Sequence, residues 1–156
     1  MTRSTDILRR LARLAQPLLR RPDHLQVAAL CMRRRGNRRE VLLVSTRRSG
    51  RWTLPKGWPM TNRSLAEAAL QEAWEEAGVT GEVAPHSIGC FHYRKGGGGN
   101  FGIRCRVEVF PIEITGQAED FPEAGQRRRK WVRPSRAARM VHEHELRALL
   151  QRLQDS

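Results

Sequence analysis

Short apolar runs alternate with basic, glycine-marked breaks along this chain. LQVAALCM at 25–32 and VLLVST at 41–46 are runs of strand length, and RRRGNRRE with its Gly36-Asn37 pair separates them. That pattern predicts a β-hairpin over 25–46. RRSGRWTLPKG, at 47–57, reads as an irregular basic stretch. Residues 64–77 then take up helical spacing, with Ser64 as N-cap, Glu67 at the capping-box position and Gly78 as terminator. Strand-like segments at about 80–93 and 101–115 flank KGGGGN, residues 95–100, which predicts a mobile hairpin tip. After a loop at Phe121-Pro122, a short strand is expected at 128–133. A helix should start near Pro134, and a last one should cover about 143–153. Residues 1–24 stand apart. Ile7, Leu8, Leu11, Leu14, Leu18 and Leu19 recur at helical spacing among arginines, which predicts a basic amphipathic helix broken near Pro17. The expected organisation is this extra N-terminal helix, 1–24, followed by one α/β domain with a mixed sheet, 25–156.

The 64–77 helix carries the candidate chemistry. At about 100° per residue, Glu72, Glu75 and Glu76 share one arc, and Ala66, Ala69, Leu70, Ala73 and Ala77 occupy the neighbouring one. The small residues predict close packing on a sheet, with the acids along the edge of the contact. Like charges one turn apart destabilise a helix unless a cation sits among them. Hard divalent cations take such oxygen ligands and complete their shell with water and substrate phosphates.

Net charge points the same way. With 29 Lys+Arg against 16 Asp+Glu the chain carries +13, which favours polyanionic partners. Arg47, Arg48, Arg51, Lys56, Arg94 and Lys95 lie in loops or strand ends around the acidic helix, where each can meet phosphate. The three cysteines, Cys31, Cys90 and Cys105, are odd in number and widely spaced, as free buried thiols in a reducing cytosol would be. No apolar run reaches membrane-spanning length. The tetraglycine stretch lacks the Gly-Lys-Ser/Thr and following helix of a P-loop.

The run GWPMTNRSLAEAALQEAWEEAGV, 57–79, resembles the Nudix box: Gly, five residues, Glu, seven residues, then Arg-Glu-apolar-x-Glu-Glu-x-Gly-apolar. Gly57, Glu72, Ala73, Glu75, Glu76, Gly78 and Val79 stand at the matching spacing. Arg63 stands where the family has Glu, and Gln71 where it has Arg. The cysteine usage above places the chain in the cytoplasm. The resemblance implies an α/β/α sandwich and a hydrolase that cleaves a diphosphate bond in a nucleoside-diphosphate-linked or polyphosphorylated substrate. It implies Mg2+, with Mn2+ as an alternative, held by Glu72, Glu75, Glu76 and the Gly57 carbonyl. Glu75 is the favoured general base, because Glu72 and Glu76, at i and i+4, can share an ion. LPKGW and EAGQRRRKWV are similar to the diphosphoinositol polyphosphate and diadenosine polyphosphate hydrolase branch. The basic loops agree in sign with such a substrate, with Arg48, Arg51, Lys56, Arg94 and Lys95 as the candidate substrate-binding residues.

Other readings stay open at this level. A Nudix-fold module weakened in catalysis, binding nucleotide or RNA, is motivated by Arg63, Gln71 and the basic run from Arg127 to Arg139. Nucleic acid is the less favoured partner, since Trp131 is the one aromatic in that run and RNA binders interleave several. Residues 1–24 can dock on a membrane, on the domain, or across a homodimer. Trp52 and Trp58 can stack on a base or pack on the sheet. Glu113, Glu119, Asp120 and Glu123 are further candidates for a metal or base group.

Overall fold

The computed structural model describes residues 23–96 and 102–155. The helix expected over 1–24, any dimer contact through it, and glycines 97–99 lie outside the described residues. The elements in chain order are β1 (His24–Arg35), β2 (Arg38–Ser45), β3 (Trp52–Thr53), β4 (Lys56–Gly57), α1 (Leu65–Ala77), β5 (Val79–Val83), β6 (Gly89–Lys95), β7 (Ile103–Gln117), β8 (Arg129–Val132), α2 (Pro134–Met140) and α3 (His144–Arg152).

The sheet runs β3-β2-β1-β7-β5, with β4 paired to β1, β6 to β7 and β8 to β2. Among the named strands of the described residues, β1 and β7 pair in parallel, from His24↔Cys105 to Met32↔Glu113, and the other pairs are antiparallel. The sheet is therefore mixed. β1 explains its own composition. Val27, Ala29 and Cys31 pack towards α1, while Ala28, Leu30 and Met32 pack in the core that includes α2 and α3. A strand covered on both faces reads as a continuous apolar run. The result is the expected α/β/α sandwich.

Two expectations are refined. The segment read as one strand over 80–93 is two, β5 and β6, separated by a connection containing Pro85. Proline offers no ladder donor, so the strand cannot run through. The basic stretch 47–57 is not wholly irregular, because β3 pairs with β2 and β4 with β1. Cys31 and Cys105 are buried free thiols, but Cys90 is only half-buried. Among the described residues no helix is long and apolar enough to cross a membrane.

Candidate metal and phosphate site

Local sequence fixes both ends of α1. The Glu67 amide donates to Ser64 Oγ at 3.1 Å, and the Ser64 amide donates to Glu67 Oε1 at 3.3 Å. Gly78 closes the helix at φ 67°, and a side chain there would overlap the Phe121 ring. The last turn of α1 contains no basic residue, and Arg129 supplies the missing cation. Its Nη1 donates to the Ala77 carbonyl at 2.9 Å and the Ala118 carbonyl at 2.8 Å. Ala66, Ala69, Ala73 and Ala77 are buried as expected, while Leu70 is only half-buried. This close seat sets the height of the acids above the sheet.

Each acid of α1 has a different environment. Glu76 is buried; Oε2 accepts the Lys56 amide at 3.2 Å, and Oε1 lies 3.1 Å from Arg127 Nη2. Glu72 rests against Gly57, where any Cβ would overlap its carboxyl group. Glycine at 57 is thus required by the close approach of β4 to the acid, in addition to any role of its carbonyl. Glu75 Oε1 accepts from Gln71 Nε2 at 3.0 Å. Burial, and then the neighbouring charges of Glu76, Glu75 and Glu123, push Glu72 up to about 8. Burial raises Glu76 to about 6, opposed by Arg127, Lys56 and the Lys56 amide. Burial is the chief reason both carboxyls are held up, and a divalent cation beside them would favour their charged forms. The donors are all oxygen, the chemistry such an ion takes.

Arg127 and Glu123 join this cluster. Arg127 Nη1 donates to the Ser45 carbonyl at 3.1 Å, and its Nε lies 3.5 Å from Glu123 Oε2. The Glu123 amide donates to the Glu75 carbonyl at 3.0 Å. Of the four acids considered beyond the helix, Glu123 is the one at the cluster. Glu113 pairs with Glu82 on β5, and Glu119 lies 3.4 Å from Arg129. The basic run alternates along its strand: Arg127, Arg129 and Trp131 turn inward, while Arg128 and Lys130 are exposed. Arg33 stacks on Trp131 at 4.2 Å from the ring centroid. Two of its arginines are therefore internal ties, not a free nucleic-acid surface.

Beside Glu76 opens a cavity of about 820 Å³. Arg48, Arg51, Lys56, Arg94 and Lys95 all line it, joined by Arg47 and Arg127. Glu76 is the helix acid that reaches its wall; Glu72 and Glu75 lie to one side. Burial pulls the Lys56 ammonium below its ordinary value, against the attraction of Glu76 and Glu143. Lys56 lies 4.9 Å from the Tyr93 ring centroid. Glu143 lines the cavity too, with Oε2 buried and without a hydrogen-bond partner. Trp52 forms part of the wall beneath Arg128, while Trp58 is exposed with Lys95 5.0 Å from its ring. His142 and His144 are exposed but line the cavity. The sequence offered Glu123 as one of four candidate acids and Arg127 as part of a basic run, but carried no signal for Glu143 or Tyr93; all four arrive from distant elements.

The two departures from the motif touch each other. Arg63 Nη1 donates to Gln71 Oε1 at 3.4 Å, and Gln71 passes its amide to Glu75. The positive charge the motif carries at 71 is here offered from 63 through a neutral amide.

A family model described as the NUDIX domain matches residues 24–153, and the chain belongs to that family. It is 36% identical over 117 residues to Nudix hydrolase 21, chloroplastic, of Arabidopsis thaliana, covering 74% of this chain and 57% of that protein. It therefore spans little more than half the length of this relative. It is 30% identical over 128 residues to the mouse diphosphoinositol polyphosphate phosphohydrolase 3-alpha, covering 80% of this chain and 74% of the relative. Its fold resembles that of a C. elegans Ap4A hydrolase, with a TM-score of 0.66 at 20% identity over 83% of this chain and 95% of the other.

Proposed function

We propose that this chain is a metal-dependent pyrophosphohydrolase acting on a small, highly phosphorylated substrate of the diadenosine polyphosphate or diphosphoinositol polyphosphate type. The observation that carries the reading is the junction of the partly buried helix carboxylates, two of them raised by burial, with a cavity rich in arginine and lysine. The names of the mouse and C. elegans relatives support the substrate class.

Glu72, Glu75 and Glu76, with the Gly57 carbonyl, would hold Mg2+ or Mn2+. Bound there, the ion supplies charge neutralisation at phosphate oxygens and a water of lowered pKa. The chain's own residues do the rest. Arg48, Arg51, Arg94 and Lys95 hold the phosphate chain from the cavity wall, and Lys56 meets it from the floor. Glu75 takes the proton of the attacking water. Its Oε1 carries the Gln71 amide, so the other oxygen remains for that transfer. Water adds at phosphorus, the bridging P–O bond breaks, and the second phosphate leaves.

The test is turnover of diadenosine polyphosphates, ADP-ribose, capped or triphosphorylated RNA and diphosphoinositols, with Mg2+ or Mn2+, read by anion-exchange separation of products. Glu75→Gln should lower kcat by about 10²–10⁴-fold, the usual worth of a general base. Glu76→Gln should abolish turnover. Tight ligand binding that survives Glu76→Gln, with no turnover anywhere in the panel, would overturn the enzyme in favour of a binding module.

A further inference from the structure

A second cluster lies apart from the helix acids. Cys90 and His92 are two residues apart on β6, so their side chains leave the same face of the strand. Glu145, in the first turn of α3, reaches across to them. Its Oε1 accepts the His92 amide at 3.0 Å, and its two oxygens lie 3.0 and 3.1 Å from His92 Nδ1. One ligand atom from each of Cys90, His92 and Glu145 lies within 4.8 Å of the others. On the far side of the ring, Nε2 is 3.4 Å from Asp23 Oδ2, and Arg104 steadies Asp23 at 3.2 Å.

We infer that Cys90, His92 and Glu145 form a zinc site that pins strand β6 to helix α3. A thiolate, an imidazole and a carboxylate are the ligand types Zn2+ accepts, and three protein ligands plus one open position is a common arrangement. Two light-atom ligands on one tetrahedral Zn2+ sit about 3.3 Å apart, so His92 and Glu145 are already near the required separation. Sulfur and nitrogen would sit about 3.6 Å apart, so Cys90 has at most about 1 Å to close. Asp23 completes the pattern. A metal-binding histidine gives its other N–H to a carboxylate, which fixes the tautomer and aims the free lone pair. With zinc bound, the proton would sit on Nε2, 3.4 Å from Asp23 Oδ2, and Nδ1 would face the other two ligands. Binding removes one proton from the Cys90 thiol, which becomes the Zn2+-bound thiolate. Mg2+ prefers oxygen ligands and a hydrated shell, so it does not compete for a thiolate and imidazole.

The consequence is positional. His92 and Glu145 also line the basic cavity, so the ion would hold that wall in place and leave its open position to water. Without an ion, the same contacts are a hydrogen-bonded cover on the edge of β6.

The test uses the full chain with saturating Mg2+, so that the α1 acids are occupied, and titrates Co2+ as a spectroscopic probe. One equivalent should produce near-ultraviolet thiolate-to-cobalt absorption, displaced by one equivalent of Zn2+. The absorption should vanish in Cys90→Ser and persist in Cys31→Ser and in Glu76→Gln. Asp23→Asn should weaken Zn2+ binding by about 10–100-fold. A melting curve for each variant shows that it is folded, and His92→Gln serves as a second ligand deletion if Cys90→Ser does not fold. Absence of thiolate absorption in the wild type, or its survival in both ligand deletions, would overturn the site. None of these readouts depends on hydrolytic activity.

Discussion

Removing metal while raising pH should expose the strain in the α1 acids. In the metal-free protein Glu72 titrates at about 8 and Glu76 at about 6, against 4.5 for an unperturbed glutamate. Both values are raised, so the folded state holds more protons than the unfolded chain. The associated stability is fully present below pH 4.5 and is lost as pH rises through 6 and then 8. For the buried Glu76 the loss is about 2 kcal/mol. Glu72 is displaced further but is half-buried; after allowance for solvent screening it contributes about 2 kcal/mol as well. At about 2–4 °C per kcal/mol for a chain of this size, Tm in EDTA should fall by about 10 °C between pH 5 and 8. At the proposed site Mg2+ would neutralise the same carboxylates, and its presence should then flatten the fall. Glu72→Gln in EDTA should remove the part between pH 6 and 8. Scanning calorimetry across this range is the assay. A metal-free Tm that stays level, or a fall that survives Glu72→Gln unchanged, would refute the reasoning.

Gly57→Ala puts a methyl group against the Glu72 carboxyl; kcat should fall by at least about 10²-fold, because misplacement of about 1 Å has that effect. An unchanged kcat would show that the close approach is not required. Arg127→Met leaves the buried Glu76 charge without its guanidinium and should cost about 3–5 kcal/mol in urea unfolding. Arg127→Lys should recover less than half, since an ammonium cannot reach Ser45, Glu76 and Glu123 together. Arg63→Ala should lower kcat about fivefold, the worth of about 1 kcal/mol for one hydrogen bond, with Tm unmoved. Adding Gln71→Arg should restore the rate, and failure to do so would show that Arg63 does not act through Glu75.

What the sequence reveals here is what local chemistry writes. Ser64, Glu67 and Gly78 mark α1 because capping acts over three or four residues, and Gly36 marks the β1–β2 turn for the same reason. The double-sided burial of β1 shows as an apolar run. β3 and β4 do not show, since two residues cannot display a period of two. Arg127 lies more than fifty residues from Glu76, within a run whose composition suggested an outward surface. Only the alternation of β8 and its approach turns it inward. Arg63 and Gln71 read separately as two lost motif positions; their contact emerges from the loop before α1 folding back onto the helix. The cavity arginines were legible as a set because several loops contribute the same charge.

The parallel pairing of β1 with β7 joins His24 to Cys105, so most of the chain must be in place before the central ladder closes. The β1–β2 hairpin and α1 make short-range contacts and can form early. Arg127 meets Glu76 only after β8 has found β2. The helix carboxylates are therefore expected to come together before Arg127 joins them. A metal bound at the proposed site would recognise the finished arrangement and so arrive too late to speed folding. Its effect falls on escape from the native state, so Mg2+ should lengthen the lifetime of the folded protein while leaving the refolding rate almost untouched.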